Sequence, residues 1–478
     1  MVAGASLAAS LAVLASLAVA APLEPRAVPG PVKNVLPAII ASNAGAYSPY
    51  EAKGVYSSPP SGCTINQVNI LQRHGQRFPT ANQAGNIKDG LKDLQKAESY
   101  SPELAWIADY KCVPSVSLCA KRTDALPARG FELGTDDLIP NGAAELYDAG
   151  RTAFSRYSAL YPPFVRTDTD PRVMDSAGNW TQGYYLRKRV QFPPAPLAID
   201  NSLGQNNTLD TEGAGCPLLP DLGDIKSAWR KTYLADTVDR INALAPGSKL
   251  KAKGANNLQL LCIHETNYYG KVSPWCDLFT ESDWNGLGYF LDIKSYSEDG
   301  LGNPVGASMG VGWVNELLSR LTGNRYWHQH DQTSVNHTLD NDPATFPLDK
   351  SHYTDLTHDS QIASVIAAMG LRNGGANLTE AGPPAGQNWF TTQQTPYAAH
   401  LVVERLQCTS GVTRPGTYVR IILNDKLQMP TFCAGYDATT GLCSLSDFTQ
   451  SQTYVRANSN GEWAGCGWGQ QPVAEEDD

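Results

Sequence analysis

The sequence contains no Cys-x2-Cys pair, no long run of Lys or Arg, no internal repeat and, beyond its first twenty residues, no apolar stretch long enough to cross a bilayer. Each absence removes a class of protein. Ten cysteines without the close pairs of zinc modules fit up to five disulfides in an oxidising compartment, and no metal site. With 37 Lys and Arg against 47 Asp and Glu, a net charge of −10 and no basic run, neither nucleic acid nor an anionic membrane is the main partner. Any anion must be bound locally. Disorder is excluded because the 42 Gly and 32 Pro stand only slightly above the usual share of ~12%. A length of 478 residues accommodates two or three units of ~100–200 residues with a sizeable pocket, which excludes a small stapled peptide.

What is present begins with MVAGASLAASLAVLASLAVA, an apolar run closing on Ala18-Val19-Ala20, a small-x-small site suited to signal peptidase. Residues 1–20 therefore read as a signal peptide, the alternative being a membrane anchor, since the N-terminal amine is the only positive charge ahead of the run. A secreted, extracellular monomer is expected. The sequons at Asn179, Asn206, Asn336 and Asn377 are consistent with N-glycosylation.

Residues 21–60, rich in Pro, Ala, Ser and Gly, read as an extended arm. Cys63 to Gln72 has the apolar density of a strand buried on both faces. A helical period runs from Ala143 to Tyr161, and a second strand is expected at Pro163 to Thr167, ahead of Arg172. The division is an α/β part over 61–175, a mainly helical subdomain over 176–290 and a second α/β part over 291–478. In the last, Tyr353 to Thr357 reads as a strand feeding His358-Asp359 and a helix stopped at Gly370, and strands follow at 400–406 and 417–423. This alternation predicts an α/β fold with a mostly parallel sheet flanked by helices, and ligands outside the carboxyl ends of its strands.

Arg73-His74-Gly75-Gln76-Arg77-Phe78-Pro79 places two guanidinium groups and an imidazole in the turn after the first strand. Arginine's planar fork matches phosphate oxygens, glycine permits close approach of backbone to an anion, and a neutral imidazole can attack phosphorus. The same residues also read as a basic surface turn. Asp359 reads either as a proton donor or as a helix-start residue serving the dipole. His328-Gln329-His330-Asp331 reads as an exposed polar loop rather than a metal site, and Arg166 either as a residue supporting the site from behind or as a surface ion-pair residue.

RHGQRFP and THDSQI resemble the two signature motifs of the histidine acid phosphatases. ELGTDDLIPNGAAEL, CIHET, SPWCDLFTESDW, GLGNPVGASMGVGWVNELLSRLT and NHTLDNDPATFPL are similar, in the same order, to stretches of secreted fungal phytases, so the likeness spans Pro59 to Cys466. The resemblance implies the histidine phosphatase fold and hydrolysis of phosphate monoesters, phytate among them, without a cofactor. By position it assigns His74 as the nucleophile, Arg73, Arg77, Arg172 and His358 as phosphate ligands, and Asp359 as the proton donor. Glu265 falls in a segment lining the substrate cleft, as a substrate-side carboxylate or a structural ion pair. It implies the disulfides Cys63–Cys408, Cys216–Cys466, Cys262–Cys276 and Cys433–Cys443, which leaves Cys112 and Cys119. The chain departs from the phytase pattern where lysines are usual, having Lys294 followed by Ser295; Lys88, Lys92, Arg129 and Lys294 are partial substitutes, although Lys88 and Lys92 read first as solvated surface lysines. A broad acid phosphatase and a phosphate-binding protein without turnover are the alternatives.

Overall fold

In the computed structural model, which describes residues 28–110, 131–186, 193–202, 206–412 and 414–468, the strand β1 (Cys63–Arg73) is buried over its carboxyl half. It has a neighbour on each side, parallel to His352–Thr357 and antiparallel to His400–Cys408. Polar residues tolerate this position because they are paired inside the sheet: Gln67 Nε2 donates to the Arg320 carbonyl and Gln72 Nε2 to that of Ala398. The expected signal peptide, Cys112, Cys119 and Arg129 lie outside the described residues.

Along the chain β1 is followed by α1 (Ala81–Leu94), α2 (Pro140–Tyr157), β2 (Phe164–Asp168), α3 (Pro171–Leu186) and β3 (Leu197–Ile199). Then come α4 (Gly223–Tyr233), α5 (Ala235–Leu244), α6 (Ala252–Tyr269), α7 (Glu281–Glu298) and α8 (Val311–Thr322). The closing part holds β4 (His352–Thr357), α9 (Asp359–Ala368), β5 (His400–Cys408), β6 (Gly416–Leu423), β7 (Lys426–Gln428) and β8 (Cys443–Ser444), with shorter helical turns between. The sheet order is β3-β2-β4-β1-β5-β6-β7, with β8 beside β6. Strands β1, β2, β3, β4 and β6 point the same way, and the parallel neighbours β3-β2-β4-β1 form one half. This is the expected α/β architecture, a sheet of mostly parallel strands flanked by helices, with a helical part.

One face of the sheet packs on α8 and α9 through Trp313, Leu317, Ile362 and Ile366, and the other on α2 and α3 through Leu146, Tyr157, Val173 and Trp180. A separate apolar cluster joins α6 and α7 to Ile87, Leu91 and Leu94 of α1 and to Leu36, Ile40 and Ala44. Within the stretch expected as an extended arm, Ala38–Ala41 forms a short helix and Gly45–Tyr47 a turn, because Leu36, Ile40 and Ala44 recur at helical spacing and are covered, while the described residues on either side are irregular. The helical part correspondingly draws on residues well before 176. Both expected boundaries fall inside continuous helices, α3 at 175 and α7 at 290.

Four disulfides join Cys63 to Cys408, Cys216 to Cys466, Cys262 to Cys276 and Cys433 to Cys443. The first ties the open ends of β1 and β5, where those residues are paired in register. Its partners are 345 residues apart, and the chain-entropy model assigns such a crosslink about 6 kcal/mol as an upper value. Cys63→Ser with Cys408→Ser is therefore expected to lower the unfolding free energy by several kcal/mol, read as a lower denaturant midpoint, and an unchanged midpoint would remove this staple from the account.

Asn179 is buried in α3 with its Nδ2 donated to the Asp175 carbonyl at 2.8 Å, so a glycan there is incompatible with the fold. Asn206 and Asn336 are half-buried and donate to the Val335 and Asn206 carbonyls respectively. Asn377 is exposed and receives only the Tyr296 hydroxyl on its Oδ1. Among the described residues no helix is long and apolar enough to cross a membrane.

Candidate active site

Register places the central groups. Arg73 at the end of β1 pairs with Thr357 at the end of β4, so the next residues of both strands, His74 and His358, emerge side by side. The His74 amide donates to the Thr357 carbonyl at 3.0 Å and the two imidazole rings lie 5.7 Å apart. Strand β2, on the other side of β4, ends on Asp168, and the turn beyond it starts α3 with Arg172 in its first turn. Three chain segments therefore meet outside the carboxyl ends of parallel strands, where ligands of such sheets bind.

His74 is 1% exposed and its Nδ1 lies 2.8 Å from the Gly75 carbonyl, an acceptor only. Nδ1 therefore carries the hydrogen and Nε2 keeps its lone pair. Burial, with Arg73, Arg172 and Arg77 nearby, holds its pKa well below the ordinary histidine value, so the ring stays neutral into acid. Gly75 has a steric role as well. A Cβ there would lie 2.3 Å from the Gly142 carbonyl oxygen, so the missing side chain makes room for the start of α2. That helix in turn supplies Glu145, which accepts from the Gln76 amide at 3.0 Å, the Gln76 side chain at 2.7 Å and the Tyr50 amide at 3.0 Å, fixing the turn from behind. Burial pushes Glu145 up to about 7.

Arg73 is fully buried, its Nη1 shared between the Ala46 and Thr395 carbonyls and its Nη2 2.9 Å from Asp359 Oδ1. Arg77 Nη1 donates to the Phe78 carbonyl, and Arg172 Nη2 pairs with Asp170 at 2.7 Å and faces His358 Nδ1 at 3.4 Å. The Nε atoms of Arg73, Arg77 and Arg172 are all buried without a hydrogen-bond partner among the described residues. Unpaired buried guanidinium donors are costly unless a ligand completes them.

His358 Nε2 is 3.0 Å from Asp168 Oδ2. Against burial and Arg172, Asp210 and Asp168 raise the His358 pKa above its ordinary value, so it carries a proton in acid. Asp168 and Asp210 were not legible as site residues. Together with His358 they form the group of ligand-type side chains close enough to hold a metal ion, but Asp168 and His358 already hydrogen-bond one another. Asp359, first residue of α9, is half-buried. Burial would raise its carboxyl, yet Arg73, Arg77 and Lys294 together hold it below the ordinary range.

The remaining expectations divide. Lys294 on α7 acts electrostatically on Asp359, and its Nζ is paired with Glu298, which also receives Lys226. Glu265 is 6% exposed and accepts from the Tyr110 hydroxyl at 2.7 Å and Ser273 at 2.6 Å, contacts that tie α6 to its neighbours. Its neighbour His264 turns to Gln83 and the Tyr47 ring. Arg166 is 2% exposed in a buried network with Asp355 and Glu316 that also holds Arg320 and the Trp313 indole, bracing β2, β4 and α8 behind the site. His328, expected in an exposed loop, is fully buried, since its Nδ1 and backbone amide both meet Ser319 Oγ, while His330 is exposed.

Comparison with known proteins adds sequence and fold relatives. The model of the histidine phosphatase superfamily (branch 2) matches residues 64–424. Phytase A of Arthroderma benhamiae is 32% identical over 441 residues, 88% of this chain and 91% of that protein, and Phytase A of Aspergillus awamori is 30% identical over 88% and 89%. Among solved structures, the phytase from D. castellii superposes with a TM-score of 0.67 at 20% identity, covering 91% of this chain and 88% of that one. A multiple inositol polyphosphate phosphatase from Bifidobacterium longum, complexed with inositol hexasulfate, gives 0.58 at 12% identity over 87% and 98%. At these identities the two structures attest a shared fold.

Proposed function

Since the chain belongs to the histidine phosphatase superfamily (branch 2), we propose that it hydrolyses phosphate monoesters in acid, phytate (myo-inositol hexakisphosphate) among them, through a phosphohistidine on His74. The observation that carries the reading is the set of three buried arginine Nε donors, unpartnered among the described residues, around a neutral imidazole.

A phosphoryl group seated among Arg73, Arg77, Arg172 and protonated His358 has its nonbridging oxygens neutralised by fixed cations. In a loose, metaphosphate-like transition state such positioning supplies most of the catalysis. His74 Nε2 attacks phosphorus, the bond from phosphorus to the ester oxygen breaks, and Asp359 gives its proton to that oxygen so that an alcohol departs. Water then attacks the phosphohistidine, the Asp359 carboxylate takes the proton, and inorganic phosphate leaves with His74 restored. The groups titrate in a compatible order: His74 resists protonation, His358 favours it, and the phosphate charge offsets the arginines that hold Asp359 ionised in the free enzyme.

The proposal includes action outside the cell, supported by the N-terminal apolar run and the four disulfides. The direct test compares kcat/KM for phytate and p-nitrophenyl phosphate across pH. Release of phosphate from both, highest in acid, is expected, and release from neither overturns the reading. Excess EDTA is expected to leave turnover of p-nitrophenyl phosphate within twofold, because the charge on the phosphoryl group is met by side chains. Loss restored by zinc or magnesium would instead assign the Asp168, Asp210 and His358 group to a metal.

A further inference from the structure

Tyr397 is fully buried, and its hydroxyl oxygen has no hydrogen-bond partner among the described residues. A buried phenol normally finds an acceptor or a donor. Here its surroundings are those of the proposed catalytic cluster. The ring lies 6.0 Å from that of His74 and carries the Arg73 guanidinium 4.7 Å above its centroid, and the hydroxyl interacts electrostatically with Arg77, Arg73, Tyr47 and Asp359. Its backbone is fastened to the same turn: the Tyr397 amide donates to Ser48, the following Ala398 amide donates to the His74 carbonyl at 2.9 Å, and Thr395 accepts from Arg73. Ala398 sits at φ 53°, a left-handed conformation that a residue with a Cβ adopts at a cost, and such strain concentrates where a side chain must be aimed. Burial keeps the hydroxyl protonated, hence a donor, although the arginines pull the other way.

We propose that the Tyr397 hydroxyl is a further phosphate ligand, donating a hydrogen bond to a nonbridging phosphoryl oxygen beside Arg77. The assignment rests on the phosphomonoesterase reading above and adds a neutral donor to its cations. A phosphoryl oxygen would complete the unpartnered hydroxyl just as it completes the arginine Nε atoms.

The test is Tyr397→Phe, which removes one oxygen and leaves the ring in place over Arg73. With p-nitrophenyl phosphate as substrate and inorganic phosphate as inhibitor, kcat/KM is expected to fall about tenfold or more and the phosphate Ki to rise about tenfold, the worth of a hydrogen bond to a charged group. The melting temperature without phosphate is expected to stay the same or rise, since the lost hydroxyl had no partner. Wild-type kcat/KM and Ki in the variant would overturn the assignment while the phosphatase reading stands. A melting temperature that falls in step with activity would also overturn it, in favour of a structural role. A wild-type protein that neither turns over the ester nor binds phosphate would sink the functional reading itself.

Discussion

His74→Ala is expected to lower kcat/KM on p-nitrophenyl phosphate by at least about 10⁴-fold, because losing a nucleophile removes the reaction path rather than one contact. The fold should survive: His74 is tied to β4 and to Ala398 through its backbone, and its side chain hydrogen-bonds the adjacent Gly75 carbonyl and borders the His358 and Tyr397 rings. Phosphate affinity should persist too, since Arg73, Arg77, Arg172 and His358 remain in place. A stably folded variant that still binds phosphate but does not turn over is therefore the predicted phenotype, read by calorimetry beside the kinetic assay. Activity within tenfold of wild type would contradict the assignment.

Asp359→Asn should discriminate between leaving groups. An alkoxide departs poorly without a proton, whereas p-nitrophenolate leaves unaided. The loss on phytate is expected to be about 10²–10⁴-fold, and on p-nitrophenyl phosphate far smaller. The pH dependence follows from the surroundings of the carboxyl. In the free enzyme Arg73, Arg77 and Lys294 hold Asp359 below its ordinary value, and a bound phosphoryl group offsets part of that pull. Its alkaline limb in kcat should therefore lie at higher pH than in kcat/KM, the first reporting the complex and the second the free enzyme. His358 acts in the same direction: its proton, favoured by Asp210 and Asp168, is lost as pH rises, and the site loses a positive charge. Equal losses on both substrates with the alkaline limb intact would reduce Asp359 to a helix-start residue.

The nucleophile turn was readable because its chemistry is contiguous. Arg73, His74 and Arg77 lie within five residues after an apolar strand, and His358-Asp359 likewise follows a strand and opens a helix. Asp168, Asp210, Glu145 and Tyr397 come from separate segments as single residues in ordinary surroundings. Their convergence depends on β2 and β4 lying in register with β1 and on α2 packing against Gly75, which no local pattern encodes. The packed turns within the arm were not legible for a related reason. Pro, Ala and Ser dominate residues 21–60, and the burial of Leu36, Ile40 and Ala44 is created by α6 and α7, which lie some two hundred residues onward. His328 shows the same limit, its buried place resting on Ser319 in the preceding helix. Strands β1 and β4 and helices α8 and α9 were legible because their apolar spacing alone specifies them.

The most direct measurement is acid-sensitive trapping of the intermediate. Enzyme mixed with labelled ester in acid and quenched within a turnover into alkaline denaturant, where phosphohistidine survives, should yield one phosphate on the peptide carrying His74, lost on later exposure to acid and absent from His74→Ala. Label on a serine or aspartate, or turnover at the wild-type rate with no labelled His74 under any quench, would contradict the account.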